Sequence, residues 1–75
     1  MDHDDTEPDI QAQLGHNLKA ARLDAGLTQQ EVAFRAGVAP AFLAEIESGT
    51  GDPDLRVIDA LAEAVGRAAF ELLQP

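Results

Sequence analysis

Side chains that can trade protons, attack carbonyls or hold metals are sparse in this 75-residue sequence. There is no cysteine, which excludes a thiolate nucleophile, a thiolate metal site and a disulfide framework. His3 and His16 are the only imidazoles, and neither completes a Ser/His/Asp arrangement or a metal-ligand cluster. Met1-Asp2-His3 has the amine, amides and imidazole to chelate Cu(II) or Ni(II) in a square plane. A histidine arises in an acidic, solvated stretch by chance far more often than as a ligand, and His16 reads as an ordinary surface residue. No Gly-rich phosphate loop is present. The sequence therefore predicts no enzyme, no metal site and no cofactor.

What remains is the chemistry of binding. Fourteen Asp and Glu stand against five Lys and Arg, for a formal net charge of −9. Asp2, Asp4, Asp5, Glu7 and Asp9 crowd into residues 1–9, which leaves nine acids against five bases from residue 10 onward. The first stretch has too little apolar surface to fold and ends near Pro8, so residues 1–9 read as a disordered acidic tail. An acidic body is repelled by phosphate and drawn to basic partners, unless a local basic patch overrides the total.

The remaining residues, 10–75, are enough for one hydrophobic core and too few for two. The chain opens Met-Asp-His-Asp-Asp rather than with a basic segment and an apolar run. No stretch approaches the roughly 20 apolar residues that span a bilayer. No membrane association and a cytoplasmic location are expected.

Apolar residues recur at helical spacing from Ile10 through Leu14, Leu18, Ala21 and Ala25, and Gly26 follows, which predicts a first helix over 10–24. Thr28-Gln29-Gln30-Glu31 is a capping box that starts a second, short helix with Val32, Ala33 and Ala36 inward; it stops at Gly37. Pro40 suits the first turn of a third helix over 40–47, with Leu43 and Ile46 inward and Gly49 at its end. After a loop through Gly51 and Pro53, Asp54 can cap a fourth helix whose stripe is Leu55, Ile58, Leu61, Ala62 and Val65, closed by Gly66. Phe70, Leu72 and Leu73 form a short fifth helix. The fold class is all-α, with a helix-turn-helix from Thr28 to Glu47.

Thr-Gln-x-Glu-Val-Ala from Thr28, then Ala-Gly-Val at 36–38, then Phe-Leu-x-x-Ile-Glu-x-Gly ending at Gly49 resembles the Cro and phage-repressor (Xre-type) helix-turn-helix family. The likeness extends over about residues 14–73, through Leu14-Gly15, Pro53-Asp54-Leu55 and Glu71-Leu72-Leu73. It implies a compact, five-helix, lambda-repressor-like domain in which Arg22 of the first helix pairs with Glu47 of the third. It also implies that the third helix enters the major groove, that Gln29 anchors the second helix to phosphate, and that Thr50 lies in a second backbone-contacting loop.

The residues at those positions are unsuited to the task. The base-reading places fall on Ala39, Pro40, Ala41, Ala44 and Glu45, none of them a basic donor or an amide. The loop Ser48-Gly49-Thr50-Gly51-Asp52-Pro53 contains no Lys or Arg. Phe34 falls where relatives generally carry a polar side chain, so it is expected to be exposed and to serve as an apolar anchor. With Arg35, Ala41, Phe42, Ala44 and Glu45 it forms the predicted protein interface.

The leading expectation is accordingly a monomeric regulator whose helix-turn-helix binds a protein, a transcriptional activator, and blocks it. In size, charge and fold it resembles the small quorum-sensing antiactivators of the QseM type. The alternative is a dimeric DNA-binding repressor or antitoxin-like autoregulator that uses Gln29, Pro40, Ala41, Glu45 and Thr50, with charge from Lys19, Arg22, Arg35 or Arg56.

Overall fold

Asp9 begins the first helix by accepting a hydrogen bond from the Ala12 N–H at 3.1 Å, satisfying a donor that has no partner within the helix. In the computed structural model, which describes residues 9–75, α1 runs Ile10–Asp24, α2 Gln29–Ala36, α3 Pro40–Ser48, α4 Leu55–Ala64 and α5 Ala69–Leu72. The described residues contain no strand. Asp9 is thus the cap of α1 rather than the end of a tail; the rest of the expected tail, residues 1–8, lies outside the described residues.

Each start and stop has a local cause. Thr28 accepts from the Glu31 N–H at 3.0 Å while the Glu31 carboxylate accepts from the Thr28 N–H at 2.8 Å, so both halves of the capping box form. Gly37 ends α2 at φ +74°, a left-handed conformation that a β-carbon would disfavour, and reverses the chain toward α3. Pro40 occupies the first turn of α3, and Asp54 caps α4 by accepting from the Val57 N–H at 2.9 Å.

Leu18, Val32, Leu43, Ile46, Leu61 and Leu72 are the largest fully buried side chains, so all five helices supply the core. α1 crosses α3 at Gly15, where a β-carbon would collide with the backbone carbonyl of Ile46 and come within 2.8 Å of that of Glu47. Asn17 donates from Nδ2 to the carbonyls of Leu72 at 2.9 Å and Gln74 at 2.6 Å, tying the end of α5 to α1.

The buried stripes are shorter at their ends than the apolar spacing predicts. Ile10 (53% exposed) and Ala25 stand in solvent, because they fall before and after the segment of α1 that the other helices cover. Leu55, expected within the α4 stripe, is 71% exposed: at the first position of α4 it has no helix packed over it. No helix among the described residues is long and apolar enough to cross a membrane.

Candidate interface on the second and third helices

The angle between α2 and α3 is held by a polar bracket beneath them. Glu47 accepts from Arg22 Nε at 2.6 Å and Nη2 at 3.0 Å, and from Gln29 Nε2 at 3.0 Å. Arg22 Nη1 also donates to the Leu27 carbonyl at 2.9 Å. The two charged side chains are almost wholly removed from solvent. The bidentate fork satisfies both carboxylate oxygens, so the desolvation of each charge is offset by directed bonds. Hydrogen bonding to Glu47, and then the charge of that carboxylate, hold the Arg22 guanidinium above its usual range against the opposing effect of burial.

This bracket joins α1, the α1–α2 turn, the start of α2 and the end of α3. It contains an Arg22–Glu47 pair, the one the resemblance implies, together with Gln29, whose amide points inward. The expected phosphate anchor therefore has one amide hydrogen committed to Glu47 and one remaining. Beside it, the Gln29 and Gln30 backbone N–H groups at the open end of α2 have no partner among the described residues. Glu31, fully exposed at the same end, keeps its carboxyl below the ordinary glutamate range through its bonds with the Thr28 N–H and hydroxyl.

α3 presents Ala39, Pro40, Ala41 and Glu45 to solvent, with Ala44 half-buried beside them. Thr50 is exposed, but its hydroxyl is occupied: it lies 3.0 Å from that of Ser48 and 3.3 Å from the Glu45 carbonyl. Ser48 donates to the same carbonyl at 2.9 Å, as do the Thr50 and Gly51 N–H groups at 3.0 Å each. The donors of the loop thus close the C-terminal end of α3.

The five bases lie elsewhere. Lys19 is on the exposed side of α1, Arg22 is inside the bracket, Arg56 is in the first turn of α4, and Arg67 pairs with Asp24 at 2.8 Å. Arg35 leans toward α4, with Nη1 3.5 Å from the Ala64 carbonyl. The α3 face offers methyl groups, a proline ring and one carboxylate.

Of the six residues expected to form a protein interface, Phe34 is the large apolar side chain that stands free, 88% exposed. Phe42 is half-buried and packs against the core, so only part of its ring is open to a partner. Two features of the site were missed by sequence reasoning. The Gln29–Glu47 bond had no local signal, since the residues are far apart in the chain. Asn17 did carry one, an amide in the interior of a helix where its propensity is poor.

The HTH_3 helix-turn-helix family model matches residues 18–72. An uncharacterised HTH-type transcriptional regulator, y4dJ of Sinorhizobium fredii, is 34% identical over 67 residues, spanning 89% of this chain and 87% of that protein. The clp gene regulator ClgR of Corynebacterium glutamicum superimposes with a TM-score of 0.85 at 30% identity, over 89% of this chain and 71% of that one. The restriction-modification controller protein C.AhdI of Aeromonas hydrophila does so at 0.79 and 29% identity, over 83% of this chain and 94% of that one. With its capping box, its left-handed Gly37 turn and the Arg22–Glu47 bracket beneath α2 and α3, the chain belongs to the helix-turn-helix family.

Proposed function

We propose that this chain regulates transcription by contacting DNA through α2 and α3. The observation that supports this reading best is the bracket of Arg22, Glu47 and Gln29, which holds α3 at a set angle to α2 with its first turn exposed. The relatives named above, described as regulators and a controller, agree with it. Phosphate would meet the Gln29 and Gln30 N–H groups and the free amide hydrogen of Gln29. Pro40, Ala41 and Ala44 suit apolar contact with thymine methyls, and Glu45 can accept from a cytosine amine. With so few phosphate donors the complex is weak per copy and its salt dependence shallow. The test is a fluorescence titration of DNA from upstream of the gene at low salt. Saturable binding that survives competitor DNA supports the reading, and binding no tighter than to competitor overturns it.

One observation favours a second reading. Phe34 stands free on a domain whose α3 and following loop hold no Lys or Arg, the arrangement expected of an anchor for a protein. Under this reading the chain is an antiactivator in the cytoplasm: it docks on a transcriptional activator, for instance one of quorum sensing, and blocks it. Loss of that inhibition on replacing Phe34 with Ala, at unchanged stability, is the outcome that selects it.

A further inference from the structure

Between α1 and α5 lies an open groove of about 430 Å³, walled by Asn17, Asp24, Arg67 and Glu71 over a floor of buried Ala21 and Leu72. Each wall residue is held by bonds within the domain and keeps capacity for another. Asn17 uses both amide hydrogens on the Leu72 and Gln74 carbonyls, which leaves its Oδ1 without a donor among the described residues. Glu71 accepts from the Ala68 N–H at 2.7 Å through one carboxylate oxygen, and Asp24 accepts from Arg67 Nη2 at 2.8 Å through one of its own. The second oxygen of each carboxylate, and the other N–H groups of Arg67, have no partner among the described residues.

We propose that this groove binds a free basic amino acid, of which lysine, ornithine and arginine are the common members. The charges match group for group. Asp24 and Glu71 against Arg67 leave the site one negative charge, and two cationic groups against one carboxylate leave the ligand one positive charge. The arrangement matches as well. Arg67 and Asp24 are adjacent, as the α-carboxylate and α-ammonium of an amino acid are, so the carboxylate meets Arg67 and the ammonium meets Asp24. The side-chain cation then lies at the far end, against Asn17 Oδ1 and Glu71, with the methylene stem over Ala21 and Leu72. Asn17 and Asp24 are separated by about 10 Å along the axis of α1. An extended lysine, about 7 Å between its nitrogens with a hydrogen bond of about 3 Å at each end, spans that length.

Other occupants fit less well. An anion is repelled by Asp24 and Glu71, a metal ion meets the Arg67 guanidinium beside one of its two carboxylates, and an apolar molecule strands the polar walls. A simple diamine satisfies both carboxylates but offers nothing to Arg67. No residue of α2 or α3 lines the groove, so the proposal stands whether those helices meet DNA or protein.

The test is a titration of the full chain with L-lysine, followed by amide chemical shifts in two-dimensional nuclear magnetic resonance. The expected result is saturable binding with a dissociation constant at or below about 1 mM, and shifts concentrated at Asn17, Asp24, Arg67 and Glu71. Norleucine, which lacks the side-chain cation, cadaverine, which lacks the carboxylate, and Nα-acetyl-lysine, which lacks the α-ammonium, should each bind at least about tenfold more weakly. Glu71→Gln should weaken lysine about tenfold and leave norleucine unchanged, because it alters only the end that meets the side-chain cation. Ala20→Leu, at an exposed position lining the groove, should fill it and abolish binding with an unchanged helical circular dichroism spectrum. Absence of saturation by about 20 mM lysine overturns the proposal. So does equal binding of norleucine or cadaverine, and so does lysine binding that persists in Ala20→Leu, since that marks loose attraction of cations to an acidic surface.

Discussion

Gln29 Nε2 lies 3.0 Å from Glu47 Oε1, on the same carboxylate oxygen that receives Arg22 Nη2. The residue that starts α2 is thereby fastened to the residue near the end of α3, and a side chain of α1 lies beneath both. The exposed surface of α2 and α3 takes its shape from this shared acceptor.

Replacing Glu47 with Ala leaves the Arg22 guanidinium buried without its carboxylate. The expected loss is about 3 kcal/mol of unfolding free energy, at the low end for breaking a buried pair because so small a domain lets water approach. Urea unfolding measures it, and a loss under about 1 kcal/mol would show that the bracket does not hold the two helices. Gln29→Ala removes one neutral donor to the carboxylate and should cost about 1 kcal/mol.

The lowered pKa of Glu31 makes the start of α2 sensitive to acid. A carboxyl held below its unfolded value contributes stability that is complete above the ordinary glutamate range and is lost as pH falls through the lowered, folded value. Unfolding should therefore become easier below about pH 4.5, where an unfolded glutamate takes up its proton. Glu31→Gln removes this part of the pH dependence, so the stabilities of the two proteins should converge as the pH is lowered. Parallel pH profiles would show that the cap contributes nothing through its charge.

Gly15 sits where α1 and α3 backbones come too close for a β-carbon, with the Ile46 and Glu47 carbonyls in its path. Gly15→Ala should gain helix propensity but force the helices apart, with a net destabilisation of about 1–3 kcal/mol. Thermal unfolding decides the sign. An unchanged or higher midpoint would mean that the crossing can open freely.

Asn17 holds the chain beyond α5 through the Leu72 and Gln74 carbonyls. Asn17→Ala should cost about 1–2 kcal/mol and, more specifically, raise amide hydrogen exchange in α5 above that in α4. Uniform acceleration across the domain would assign the loss to global stability instead.

Phe34→Ala should leave unfolding within about 0.5 kcal/mol of the original protein, because the ring makes little buried contact. A larger loss would identify it as part of the core. In the DNA titration, the slope of log affinity against log salt should stay shallow, about −2 to −4, reflecting a few phosphate contacts.

Helix boundaries were largely legible because their causes are local. The Thr28–Glu31 box, Gly37, Pro40, Gly49 and Asp54 each act within one turn of chain, and α2 and α4 start at the positions expected from them. The Arg22–Glu47 pairing came through the family resemblance, since no local pattern joins residues in α1 and α3. Leu55 and Ile10 show where periodicity misleads. They continue the apolar spacing of their helices, but spacing records which side a residue is on, not whether a neighbour covers it.

The sequence by itself determined the number of helices, their order, and a face on α3 without a basic side chain, because turns, caps and residue types are properties of short segments. Tertiary structure decided which groups remain available. It committed the Gln29 amide to Glu47 and the Thr50 hydroxyl to the end of α3, sent Arg35 toward α4, and left Phe34, Leu55 and Phe70 uncovered. Availability depends on what packs against or bonds to a side chain from elsewhere in the chain, and that is settled only when the helices meet.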